Sequence, residues 1–221
     1  MHPIKKQILH ALITNSFLSY SKLKPEGLEG NIFMYHLKQL TNDGLVQKRD
    51  DGKYELTLEG QNFSDSLSLK TLNPRIQPKI VTLLVCQNNK GEFLLYKRGK
   101  QPFLGLIGFP YGKIHLGEKI AAAAERELLE KTGLKTKPVH RGDVYLTIFK
   151  NGQVFTQMFC HVFTSKNTKG ELIQRSEIGQ CFWEKINNPK DPKFMSGFAE
   201  VFSLVKKRNR GLFFTELTYN L

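Results

Sequence analysis

The sequence predicts an α+β protein of two domains, a small helical one followed by a strand-rich one. Three observations predict it. Apolar residues recur at helical spacing before residue 70 and in strand-length runs with one central helix after residue 78. Pro74 and Pro78 fall within five residues of each other and interrupt both patterns, because proline breaks a helix and pushes the preceding residue towards extended backbone. At 221 residues the chain is long for one small domain and comfortable for two. The expected layout is residues 1–70, a linker at 71–78, and a second domain at 79–221.

In the first domain Ile4, Ile8, Leu9, Leu12 and Ile13 stand at helical spacing. A polar break at residues 14–16 follows, then residues 21–28, where Pro25 and Gly27 limit any helix. Residues 31–42 place Ile32, Phe33, Leu37 and Leu40 on one side of a helix that ends near Gly44. Residues 45–49 and 53–57 flank Asp50-Asp51-Gly52, and Asp-Gly between two such runs signals a hairpin. Residues 60–69 read as a closing helix. Helix, helix, helix, hairpin is the order of a winged helix-turn-helix. The string YHLKQLTNDGLVQKRDDGKYELTLEG resembles the recognition helix and wing of that family, and the resemblance covers residues 3–69. It implies DNA as a partner and is compatible with a homodimer.

The second domain is expected to carry strands at residues 79–86 and 92–98, around an Asn88–Gly91 turn. Residues 144–150 and 153–163 flank Asn151-Gly152, the best short hairpin signal in the chain. Residues 180–184 add a short strand, and Met195, Phe198, Phe202 and Val205 line one face of a late helix. Strands with one helix between them and one at the end suggest an α+β or sandwich-like mixed sheet.

Composition narrows the setting. No apolar run approaches the ~18–20 residues of a membrane span, and the N-terminus lacks the small-residue cleavage site of a secretory signal. Cys86, Cys160 and Cys181 are odd in number and widely spaced, giving neither a zinc pattern nor a disulfide framework. A reducing, cytoplasmic location with no membrane partner is the expectation. The net charge of +13 is unevenly divided: residues 1–70 carry nine Lys and Arg against eight Asp and Glu, residues 71–221 carry 24 against 12. Such a surface attracts phosphates of a nucleotide or a nucleic acid, or simply aids solubility.

Between Gly112 and Leu134 the chain reads GKIHLGEKIAAAAERELLEKTGL. Residues 120–131 are rich in helix formers, with Ala121, Ala124 and Leu128 expected against a sheet and Gly133 placed as a C-terminal cap. Glu127 and Glu130 stand three apart, so their carboxylates project from one side. Together with Glu118 they would form an oxygen-rich site suited to Mg²⁺, and the ion would bridge a diphosphate and orient or activate water. An amphipathic helix with a solvated charged edge is the competing reading of the same two glutamates.

The whole pattern resembles the Nudix box, the signature of hydrolases that split nucleoside diphosphates linked to another moiety. The lead-in Gly108-Phe109-Pro110-Tyr111-Gly112-Lys113 resembles the family's as well. The resemblance covers residues 79–205. It implies an α/β/α sandwich with a mixed sheet, and Mg²⁺ (or Mn²⁺) as cofactor. It makes Glu127 and Glu130 metal ligands or positioners of the catalytic water, Arg126 the arginine that holds a box glutamate, and Glu118 the support of that network. The carbonyl of Tyr111, where the family usually has glycine, would join the metal shell. Glu177, with Glu171 behind it, is the candidate for a further carboxylate. Gly112, Lys113 and Lys131 are assigned to substrate phosphate.

Lys131 departs from the pattern, which has a glutamate there. The exchange shifts local charge by two units, and lysine offers no acceptor. The ammonium can contact substrate phosphate in place of a missing cation, or turn to solvent. Two functions follow. One is a Mg²⁺-dependent hydrolase cleaving a diphosphate linkage, weakened by Lys131. The other is a regulator whose non-catalytic Nudix domain senses a nucleotide-type ligand such as ADP-ribose while the winged helix binds DNA. A winged helix used only for protein contact is a third reading, since residues 1–70 are nearly neutral. His115 lies in the box loop, Phe103, Tyr111, Phe149 and Trp183 are base-stacking candidates, and residues 206–210 form a basic run.

Overall fold

The first helix, α1 (Pro3–Ile13), starts where a proline at its first turn meets a side-chain acceptor, His2 Nδ1, which takes the Ile4 N–H at 3.3 Å. The computed structural model describes residues 1–207 and 211–221 and divides into two units, Met1–Ile76 and Gln77–Leu221. Within the first, α2 (Tyr20–Leu23) is held to one turn because Lys24, preceding Pro25, takes extended backbone at φ −72°, ψ 121°. Next, α3 (Gly30–Asn42) ends before Gly44, which is left-handed at φ +73°. β1 (Val46–Lys48) and β2 (Tyr54–Leu56) pair antiparallel across the Asp50–Gly52 turn. Then α4 (Leu58–Asp65) runs earlier than residues 60–69. Thr57 Oγ1 caps it by accepting the Gly60 N–H at 2.9 Å. Ser66 Oγ donates to the Phe63 carbonyl, and Leu67 bridges to Pro74 instead of continuing the helix.

The core of this unit joins Ile8, Leu9 and Leu12 of α1 to Phe33, Leu37 and Leu40 of α3, closed by Val46 and Tyr54 of the hairpin. Ile32 is not part of that buried side. It is exposed on α3 with Asn31, Tyr35 and Lys38.

The second unit contains β3 (Lys79–Cys86), β4 (Phe93–Arg98), β5 (Ile107–Gly108), β6 (Tyr111–Lys113), α5 (Ile120–Thr132), β7 (Val139–Lys150), β8 (Gln153–Ser165), β9 (Arg175–Ser176), β10 (Gly179–Glu184), α6 (Phe198–Lys206) and β11 (Phe213–Asn220). A mixed sheet runs in the order β11-β7-β8-β3-β6, with β3 parallel to β8 and β11 parallel to β7. A smaller antiparallel sheet runs β5-β4-β10-β9. The chain thus changes sheets at the Asn88–Gly91 turn, where β3 passes to β4. The β7–β8 hairpin turns on Asn151 (φ +52°) and Gly152 (φ +74°), the pair of left-handed residues that a tight two-residue hairpin needs.

One core packs α6 through Phe198, Val201 and Phe202 on Val81, Leu95, Val144 and Val162. The other packs α5 through Ala124 and Leu128 on Leu84, Leu94 and Phe163. Ala123 is buried on α5 while Ala121 is exposed, so the helix is rotated by part of a turn from the face expected. Four strands have no counterpart in the expected layout: β5, β6 and β9, which are too short to show alternation, and β11. Of the basic run at 206–210, residues 208–210 lie outside the described residues.

Candidate functional site

Arg126 is the centre from which the site is assembled. Its Nε and Nη2 donate to the two oxygens of Glu118, each at 2.8 Å, a bidentate pairing. Nη2 also donates to the Lys113 carbonyl at 3.0 Å. Nη1 donates to Glu127 Oε1 at 2.9 Å and Glu130 Oε2 at 3.1 Å. One guanidinium therefore ties the loop before α5 to two carboxylates of α5. With Arg126 on one side and the His115 N–H donating at 3.1 Å on the other, the Glu118 carboxyl is held well below its ordinary range, at about 2.

Glu127 is buried, and a glycine makes room for it. A Cβ on Gly112 would fall 1.7 Å from the Glu127 carboxylate. Only glycine at this position of β6 allows the acid to lie against the strand. The second oxygen of Glu127 accepts from Lys131 Nζ at 2.7 Å, one helical turn on. The same ammonium donates to the Tyr111 carbonyl and lies 5.5 Å from the Tyr111 ring centroid. Lys131 therefore enters the acidic cluster. It contacts Glu127 Oε2 and Tyr111 O, two of the four groups that the box resemblance assigns to a metal ion with Glu130 and Glu177.

Beside this cluster opens a cleft of about 560 Å³. Lys79, Arg98, Lys100, Lys113 and Lys131 line it with His115, against one acid, Glu127. Phe103, Tyr111 and Tyr96 add aromatic surface. Arg98 braces the rim: its Nε donates to the Lys100 carbonyl at 3.0 Å, and the guanidinium also reaches the Pro102 carbonyl and the Tyr111 hydroxyl. Burial pushes the Tyr111 phenol up, with Arg98 offsetting part of the effect. Lys79 Nζ donates to Thr156 Oγ1 at 3.2 Å on the cleft floor. A pocket lined by five cationic side chains and one carboxylate attracts polyanions.

Of the residues singled out by sequence, Glu118, Arg126, Glu127, Glu130 and Lys131 form one network, and Tyr111, Gly112 and Lys113 lie beside it. Glu130 is the more exposed acid, at 58 %. Glu177 is exposed in the turn between β9 and β10; its neighbour Ile178, not Glu177, lines the cleft. Glu171 places its carbonyl over Gly133 at the end of α5. Phe103 lines the cleft and meets Phe155 edge-on at 5.4 Å, whereas Trp183 packs on the core under α5. Lys79, Arg98 and Lys100 carry no spacing signal, since the pairing of separate strands alone brings them to the cleft.

The arrangement bears on Mg²⁺ directly. A Mg²⁺ ion demands near-octahedral oxygen ligands, yet Tyr111 O and Glu127 Oε2 are taken by Lys131, and Glu127 Oε1 by Arg126. The donor set does not fit an ion held by Tyr111 and Glu127 while the ammonium stands there. Glu130 is the acid best placed to meet a solvated cation.

Residues 77–204 match the family model described as NUDIX domain. Among solved structures, the Mutator MutT protein from Bacillus halodurans aligns with TM-score 0.54 and 23 % identity, covering 64 % of this chain and 90 % of that one. The MutT NUDIX hydrolase from Burkholderia pseudomallei aligns at 0.51 and 20 %, covering 59 % and 99 %. The NUDIX domain of Shewanella oneidensis NrtR, complexed with ADP ribose, aligns at 0.50 and 18 %, covering 63 % and 95 %. At these identities the likeness is one of fold.

Proposed function

The chain belongs to the NUDIX domain family, and we propose that its second unit binds the diphosphate of a nucleoside diphosphate derivative, of the ADP-ribose class, with Lys131 as a built-in cation. One observation carries this reading: the Lys131 ammonium bridges Glu127 Oε2 and the Tyr111 carbonyl. Diphosphate oxygens entering the cleft would meet Lys131, Lys113 and Lys100, while Arg98 braces the loop that carries Phe103. The base or sugar would lie against Phe103 and Tyr111. Positive charge fixed by the fold stabilises the phosphates without an ion being recruited. Water attack is disfavoured in the same stroke, because both Glu127 oxygens are already engaged, one by Arg126 and the other by Lys131.

A slow hydrolase is the second reading. It is favoured by the intact Arg126 network and the solvent-facing Glu130. Screening the protein with Mg²⁺ or Mn²⁺ against ADP-ribose, NAD, nucleoside triphosphates and dinucleoside polyphosphates separates the two. Binding without turnover, with turnover gained by Lys131→Glu, supports the sensor; turnover in the wild type supports the hydrolase.

For the first unit the reading is a winged helix-turn-helix that passes ligand occupancy to DNA. Its order of three helices and a hairpin supports this. In the wing Arg49 pairs with Glu55 at 2.9 Å and Lys53 with Asp51 at 3.2 Å, while the Lys48 ammonium lies 5.9 Å from the Tyr54 ring centroid. Contact would run through the exposed Asn31, Tyr35 and Lys38 of α3. A salt-dependent, sequence-selective shift of the protein's own upstream DNA supports it. No binding at low salt assigns this unit to protein contact or dimerisation instead.

A further inference from the structure

Away from the cleft, His140, Asp143 and His161 bring their ligand atoms within 4.8 Å of one another. Asp143 Oδ1 is the shared point: His140 Nε2 lies 2.9 Å from it and His161 Nδ1 2.7 Å. The strand backbone is irregular where this happens. Residues three apart on a regular strand face opposite sides of the sheet, so His140 and Asp143 should not meet. The β7–β8 register shifts between His140 and Gly142, and this bulge turns His140 onto the face that carries Asp143. Gly142 makes the bulge possible, at φ +151° and with Phe213 O only 2.2 Å from where a Cβ would sit. Cross-strand pairing sets His161 directly opposite Asp143. By alternation, this is the face opposite to the one on which Met158 lines the cleft.

We propose that His140, Asp143 and His161 form a binding site for a divalent transition-metal ion such as Zn²⁺, independent of the diphosphate cleft. Two imidazoles and one carboxylate are the donor types such ions prefer. Metal–ligand bonds of about 2.0–2.2 Å at tetrahedral angles set donor atoms about 3.4 Å apart. The two nitrogens are thus within roughly 0.7 Å of that spacing from Oδ1, and small ring rotations supply the difference. An ion in place of the two hydrogen bonds would take the lone pair of the ring nitrogen that each histidine turns to Asp143, with the neutral imidazole's proton on the other ring nitrogen. The side chains are 33 %, 27 % and 13 % exposed for His140, Asp143 and His161, so water can complete the coordination from one side. His140 also packs on Phe163 at 5.1 Å and His161 on Phe159 at 5.1 Å, which restricts both rings before any ion arrives.

The test is a Zn²⁺ titration of the full chain by calorimetry in excess Mg²⁺, which occupies carboxylate-only sites and competes poorly for imidazole. Co²⁺ absorption serves as an independent report of nitrogen ligation. The expected result is one equivalent bound by the wild type and by His115→Ala, with affinity reduced at least about tenfold in His140→Gln and in His161→Ala. A Zn²⁺-dependent rise in melting temperature should accompany binding in the wild type and vanish in both variants. Unchanged affinity in both folded variants, or no bound equivalent in the wild type, overturns the site. Neither outcome touches the diphosphate reading, which rests on other residues.

Discussion

Lys131 donates to an acid and a carbonyl at once. Lys131→Ala should weaken binding of an ADP-ribose-type ligand about 10- to 100-fold, the equivalent of the ~1.5–3 kcal/mol of a charge-assisted hydrogen bond; calorimetry at fixed ionic strength reads it. Unchanged affinity would remove Lys131 from the ligand's surroundings. Gly112→Ala should be more damaging, since the added Cβ would fall 1.7 Å from the Glu127 carboxylate and displace it. Loss of ligand binding with the fold retained, checked by circular dichroism, is the expected outcome. Glu118 makes a pH prediction. Its carboxyl, held at about 2 by Arg126 first and the His115 N–H second, contributes stability above its ordinary value of 4.5. The sign follows from a lowered folded-state pKa: that contribution is lost as pH falls from 4.5 through about 2. The melting-temperature gap between wild type and Glu118→Gln should be steady at neutral pH and close over that window. A gap that widens on acidification would contradict the network.

The elements that carry the site are those whose ends the sequence marks. Helix α5 runs to Thr132 and stops at Gly133, left-handed at φ +71°, with Glu171 O 2.6 Å from where a Cβ would sit. Gly133→Ala should therefore destabilise by more than the ~1–2 kcal/mol of a left-handed non-glycine residue, measured by denaturant unfolding. Leu128, fully buried between α5 and the sheet, should cost about 2–5 kcal/mol when truncated to alanine. A cost below 1 kcal/mol in either would mean that α5 is not anchored as described. The ends of α3 and α5, the Asn151-Gly152 hairpin and the strands β3 and β4 were legible because caps, left-handed turns and periodicity are local, whereas α4 and the start of β7 fall earlier than the pattern indicates. The short strands β5, β6 and β9 were not, since two or three residues carry no period. The rotation of α5 that buries Ala123 instead of Ala121 comes from the sheet it meets. β11 alternates cleanly in burial over Phe213–Asn220, and period two over its Phe, Thr, Leu and Tyr residues was the signal available.

Across the whole molecule the basic charge gathers in residues 71–221, and no described helix is long and apolar enough to cross a membrane. Limited proteolysis should cut first around residues 72–78, where Ile76 is fully exposed, and mass spectrometry should find two stable fragments. Early cleavage inside 79–205 would argue against a separately folded second unit. The sequence by itself determined the family, because the box that marks it depends on residue types at short spacing along one chain. It also located the question at position 131. The tertiary structure alone decided that the Lys131 ammonium turns inward onto Glu127 and Tyr111. It alone gathered Lys79, Arg98 and Lys100 at one cleft, and through a bulge set His140 beside Asp143 and His161. Side-chain direction and cross-strand register arise from packing between segments distant in sequence, and no local pattern encodes them.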